Sequence, residues 1–163
     1  MFDRVSPSNR ALILANVVVF GMQQLWNPIM VPLFALWPLN TGYFRPWQLL
    51  THAFMHDGYL HILFNMFGLF MFGSQVEQLF GSAKRYLIYY FVCAIGAGLF
   101  FLIVVAAANL GPDNVAVGAS GALYGLLLAF GLGYPRAQIM FFPIPVPIQA
   151  RFAVIIFAAL QLY

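Results

Sequence analysis

The sequence predicts an all-α membrane protein built as a single helical bundle. Apolar residues make up 63% of the 163 residues and charged residues only 7%, far from the roughly 25% charge of a soluble domain. Mean hydropathy is +0.89. Several apolar runs approach or exceed the roughly 20 residues that cross a bilayer as a helix. With charge so sparse, the formal net charge of +3 reads as a membrane-topology signal rather than a phosphate-binding patch, which excludes a nucleic-acid partner. The lone cysteine, Cys93, permits no internal disulfide and no cysteine metal cluster, and within an apolar run it reads as a small buried hydrophobe.

The polar N-terminus, Met1 to Arg10, precedes a long apolar stretch without a small-residue cleavage site, so an uncleaved first span is expected from about Ala11 to Trp26. Asn27-Pro28 and Pro32 are expected to end it. The stretch from Trp37 through Arg45-Pro46-Trp47 mixes aromatics, prolines and turn residues and reads as an interfacial loop. A second span is expected from Tyr59 to Val76, closing at Glu77 and Gly81, and a third from Tyr86 to Ala108. A fourth opens at Ser120 and ends near Gly133-Tyr134-Pro135. A loop over Phe141-Phe142-Pro143-Ile144-Pro145-Val146-Pro147 then leads to a fifth run, Ile148 to Tyr163.

Basic residues orient this bundle. Arg4, Arg10, Lys84, Arg85, Arg136 and Arg151 fall on one side and only Arg45 on the other. The positive-inside rule therefore predicts a multi-pass integral membrane protein with a cytoplasmic N-terminus and the Arg45 and Asn109-to-Gly118 loops outside. About 15 residues separate Ser120 from Pro135, short for a full crossing, so Ser120 is expected below the outer surface with Val115 to Ala119 dipping into the membrane.

Two constellations carry chemistry. Gly118-Ala119-Ser120-Gly121 places a hydroxyl at the start of an apolar helix, where unpaired N–H groups and the helix dipole favour negative charge. The site suits a nucleophile or a simple helix cap. Gly121 and Gly125 form a Gly-x-x-x-Gly face for close helix packing. The second constellation holds all three histidines. His61 and Asn65 share one face of the second span, and both can donate hydrogen bonds inward, either to an oxyanion or to hold helices together. His52 and His56 have the spacing of a two-histidine metal site, but no cysteine is available and Asp57 is the sole nearby carboxylate. They are expected to anchor the loop to the second span through hydrogen bonds. A transporter or channel would need ionisable residues in several spans or paired broken helices; neither is present, and Glu77 is expected to tie helices or loops together at its end.

The run Phe44 to His56, the His61-x-x-x-Asn65 pair, Glu77, and Gly118-Ala119-Ser120-Gly121 with Tyr124 resemble the rhomboid intramembrane serine proteases in order, spacing and inferred topology. The resemblance implies a rhomboid-like polytopic bundle, about five of its six core spans present, with residues 1–163 as one domain that is C-terminally incomplete. It implies Ser120 as nucleophile and His61, Asn65 and the Ser120 backbone N–H as the oxyanion hole. Tyr124 would pack against the catalytic histidine and Gly118 would shape the loop over the site. Substrates would be single-span membrane proteins cut in or near their transmembrane segment, within the lipid bilayer and with no metal or organic cofactor. In rhomboids the general base is a histidine on the sixth span, and this chain has no histidine after His61. A serine without its base loses orders of magnitude in rate, so the chain is expected to be inactive alone. The alternative is a non-catalytic relative that binds client transmembrane segments.

Overall fold

The computed structural model describes residues 5–111, 113–141, 144–149, 152 and 155–156. Four apolar helices dominate. Three are long enough to span a membrane: α1 (Pro7–Phe34), the continuous run Tyr59–Phe80, and α5 (Ala83–Ala107). The fourth, α6 (Ser120–Gly133), has 14 residues and so measures about 21 Å. Between α1 and the second span lie the short helix α2 (Gln48–Thr51) and tight turns at Leu39–Thr41 and His52–Phe54.

The first span does not stop at Asn27-Pro28. Trp26 leaves helical geometry (φ −128°, ψ 33°), and the chain resumes as helix through Pro28 and Pro32 to Phe34. A restart makes Pro28 a first-turn residue, where a missing N–H costs nothing. Of the last four carbonyls of this helix, Val31 O accepts from the Ala35 backbone N–H at 3.1 Å, those of Pro32, Leu33 and Phe34 would be orphans, and all four receive a side-chain donor. Trp37 Nε1 reaches Val31 O at 3.2 Å, Gln48 Nε2 reaches Pro32 O at 3.1 Å, Trp47 Nε1 reaches Leu33 O at 2.9 Å and Thr51 Oγ1 reaches Phe34 O at 2.8 Å. The aromatic and polar residues of the Arg45 loop thus close the end of α1. Arg45 itself donates to Gly42 O and Phe44 O within that loop.

The second span comprises α3 (Tyr59–Gly68), a π-helical turn at Leu69–Gly73 and α4 (Ser74–Phe80), ending on Gly81 in left-handed geometry. Fully buried Asn9 of α1 sits against the π turn, donating from Nδ2 to Leu69 O at 2.8 Å and accepting from Tyr86 Oη at 2.8 Å. It can come so close because residue 73 is glycine: a Cβ there would lie 2.7 Å from Asn9 Nδ2. At the same end Ser6 and Ser8 donate from their hydroxyls to Glu77. Glu77 ties the start of α1 to the end of the second span, as its position in the sequence implies.

α5 and α6 pack along the glycine face. A Cβ on Gly121 would collide with Ala97 Cβ, and one on Gly125 would lie 2.8 Å from Cys93 Cβ. Tyr89 Oη donates to Gly125 O at 2.8 Å. Tyr89, Cys93 and Ala97 are four residues apart and form one stripe of α5. The core around this seam includes Leu69, Phe72, Tyr86, Tyr90, Leu123 and Leu126, all buried.

After α6 the expected loop over 141–147 is instead an antiparallel hairpin of β1 (Gln138–Phe141) and β2 (Ile144–Gln149), with Gln138 opposite Gln149 and Ile139 opposite Ile148. Prolines 145 and 147 are tolerated because a two-stranded ribbon leaves each strand one unpaired edge. Ile148 and Gln149 therefore belong to a strand rather than opening the fifth span. Most of the remainder of that expected span, like Phe142 and Pro143 of the loop and the topology signals Arg4 and Arg151, lies outside the described residues.

Candidate active site

Ser120 is the first residue of α6. The cap position before it is Ala119, and no side-chain hydrogen bond caps the helix. The capping role that a serine at this point suggests is therefore not the one the hydroxyl plays. Half-buried, Ser120 stands at the end of a segment sewn into the fold from two sides. Leu36 and Ala116 exchange both backbone hydrogen bonds at 3.0 Å, and Gly118 N donates to His52 O at 2.9 Å. The backbone groups of Ala116 and the N–H of Gly118 are thus satisfied by protein, which suits a segment placed at membrane depth.

Gly118 is the contact between the two constellations. Its φ is +111°, a backbone conformation that side chains rarely adopt, and an added Cβ would meet His61 Nε2 and would lie 2.7 Å from His61 Cε1. Only glycine lets the His61 ring press on the turn that precedes Ser120. The backbone N–H of Asp57 donates to His61 Nδ1 at 3.3 Å. With Nδ1 accepting, a neutral imidazole carries its proton on Nε2, the nitrogen beside Gly118. His61 therefore offers an N–H donor at the serine turn.

Asn65 is fully buried one turn along α3. Its Nδ2 donates to His61 O at 2.8 Å and its Oδ1 has no partner. One N–H of the amide is spent on its own helix and the second remains. Tyr124, half-buried, lies one turn beyond Ser120 on α6, and Gly121 faces Ala97.

The remaining histidines do not anchor the loop to the second span through hydrogen bonds. His52 Nδ1 bonds Gln48 O at 2.8 Å and His56 Nδ1 bonds Phe54 O at 3.3 Å, both within the loop itself. Anchoring runs instead through backbone: Gln23 of α1 clamps His56, accepting from its N–H at 3.0 Å and donating to its carbonyl at 2.9 Å. The His56 ring stands edge-on to His61, centroids 5.1 Å apart. Burial holds the His52 ring below its ordinary pKa. Burial also pushes His56 down to about 4, the nearby His61 ring adding to the effect and the Phe54 carbonyl opposing it. Both rings are neutral near pH 7. No group of three metal-binding side chains occurs among the described residues.

Residues that the motifs did not bring forward hold this arrangement. Gln48, fully buried, bonds Pro32 O, Tyr43 O and Arg45 N, and Gln23 fixes His56. A signal for part of this set was available: Asn9, Asn16 and Gln23 are each seven residues apart in an apolar span, hence on one face of α1, and all three are buried.

A polytopic helical membrane protein with a serine at a helix start, and a histidine donor against the glycine of the turn before it, defines a narrow class. The rhomboid domain family matches residues 43–163. The chain is also 33% identical over 151 residues to "Rhomboid protein 1, mitochondrial" of Saccharomyces cerevisiae, covering 90% of this chain and 42% of that protein. This chain is an integral membrane protein of the rhomboid family. It spans less than half the length of the yeast relative.

Proposed function

We propose that the chain carries the nucleophile and oxyanion donors of an intramembrane serine endopeptidase that cleaves single-span membrane proteins in or near their transmembrane segment. The observation that carries this reading is the Gly118–His61 contact. It puts the protonated Nε2 of a neutral histidine beside the turn leading into Ser120, at the start of a helix whose first N–H groups lack intrahelical partners. In the proposed reaction Ser120 Oγ attacks the scissile carbonyl. The oxyanion is held by His61 Nε2–H, the second N–H of Asn65 and the Ser120 backbone N–H. The rhomboid resemblance implies a histidine of a sixth span as the base that takes the serine proton, and none of His52, His56 and His61 is assigned that role. With the N-terminus cytoplasmic, as the basic residues imply, the site opens toward the opposite side of the membrane.

The other reading is a non-catalytic relative that binds client transmembrane segments. One assay separates them. Full-length protein in proteoliposomes with a single-span substrate should cleave it, and Ser120→Ala should abolish cleavage while leaving the protein folded. Undiminished cleavage by Ser120→Ala removes this serine from the mechanism. Substrate retention without any cleavage by the unaltered protein favours client binding.

A further inference from the structure

Beside the candidate active site lies a cavity of about 350 Å³, lined by Gln23, Asn27, His56, Asp57, Asp113 and Val117 among others. Its size is within the range of about 300–1,000 Å³ typical of ligand pockets. It shares walls with the proposed reaction centre. Val117 precedes Gly118, Asp57 supplies the N–H that fixes His61, and the His56 ring lies 5.1 Å from that of His61.

The unspent chemistry of this cavity is mostly of one kind. Both ends of the Gln23 amide are used, on the His56 backbone and on Asn27 Oδ1. The side chains of Asp57 and Asp113 belong to exposed residues, and no lysine or arginine lines the cavity among the described residues. His56 is fully buried with Nδ1 committed to Phe54 O, so its Nε2 is an acceptor, and that atom has no partner. A buried acceptor without a donor is costly and calls for an occupant. Two carboxylates and one imidazole lone pair ask for a cation that donates hydrogen bonds, and these groups do not form a metal-binding cluster.

Resting on the protease reading above, we propose that this cavity is a recognition subsite for a lysine or arginine side chain in the extended part of the substrate, close to the scissile bond. The basic side chain enters between α1 and the segment Val115 to Val117, its charge facing Asp57 and Asp113, and its N–H groups reach toward the His56 end. Substrate choice then depends on a cationic residue near the cleaved bond as well as on the transmembrane segment.

The test uses full-length protein in proteoliposomes and synthetic transmembrane peptides in which each residue flanking the cleaved bond is in turn lysine, arginine, leucine or glutamate. At one position the basic peptides should be cleaved about fivefold better in kcat/KM than the leucine peptide, the upper range for partly exposed charge pairs. In Asp57→Asn/Asp113→Asn protein that ratio should fall to about one. Because it is taken within each variant, overall losses of activity cancel. No basic preference at any position, or a preference that survives the double variant, overturns the subsite. Equal cleavage by Ser120→Ala, or no cleavage at all, is instead a failure of the protease reading. The subsite is then read by binding of the same peptides to Ser120→Ala protein in detergent. A lysine-over-leucine affinity ratio abolished by the two asparagines supports it, and equal affinities overturn it.

Discussion

Gly118→Ala probes the hinge between the two constellations. The substitution acts through two separable effects. An L side chain at φ +111° is strained, and the new Cβ would lie 2.7 Å from His61 Cε1 and closer still to Nε2. Residues held in such sparsely populated backbone regions cost about 1–3 kcal/mol, and overpacking a filled site costs about 1–3 kcal/mol more. The His61 ring has little room to yield, being packed edge-on against buried His56 and held at Nδ1 by Asp57 N. The expected loss is therefore about 2–6 kcal/mol in equilibrium unfolding of the full-length protein in detergent. His61→Ala deletes the ring, so in the double variant the overlap disappears while the backbone strain stays; the two losses should be non-additive by about 1–3 kcal/mol. A Gly118→Ala protein within about 0.5 kcal/mol of the unaltered one, the size of an ordinary surface change, would refute the close approach. So would strictly additive losses in the double variant.

Other perturbations follow from the same geometry. Gly121→Ala should destabilise by about 1–3 kcal/mol by forcing α6 away from Ala97, and Ala97→Gly in the same protein should restore part of it, measured by thermal unfolding. Asn9→Leu should cost about 3 kcal/mol by orphaning Leu69 O and Tyr86 Oη; adding Tyr86→Phe removes one orphan and should recover about 1 kcal/mol, and no recovery would contradict the bonding assigned to Asn9. His56 stays neutral in the fold down to about pH 4 while the unfolded chain takes up its proton near its ordinary pKa of 6.5. Stability from this residue is thus intact above pH 6.5 and falls as pH drops toward 4, by about 2 kcal/mol at about pH 5. Unfolding at about pH 7 and pH 5 should show this loss, and His56→Phe should flatten it.

Much of the bundle was legible because apolar runs of spanning length have few alternatives. The bounds of α6, Ser120–Gly133, coincide with the sequence reading, and Gly81 closes the second span as expected. Where the reading failed, a local rule met a neighbour it did not include. Pro28 and Pro32 suggested a helix end, but the kink at Trp26 restarts the helix and side chains from the Arg45 loop close its last carbonyls. The hairpin was hidden by its prolines, although Ile144, Val146 and Ile148 alternate with period two. Within the candidate site, residue types and spacing indicate Ser120 and His61, and the family resemblance adds Gly118. Three features depend on backbone groups distant in sequence or on another element: the proton on His61 Nε2, set by Asp57 N, the clamp of Gln23 on His56, and the bond from Gly118 N to His52 O. Side-chain patterning carries no record of such bonds. The two loop histidines were misassigned for that reason.

The most direct measurement is covalent labelling of the full-length protein with a fluorophosphonate, followed by peptide mapping. A single adduct per chain on Ser120 Oγ is expected, formed only by folded protein and absent from Ser120→Ala. Folded protein that leaves Ser120 unlabelled, or an adduct that forms equally well after denaturation, would contradict an activated serine at this helix start.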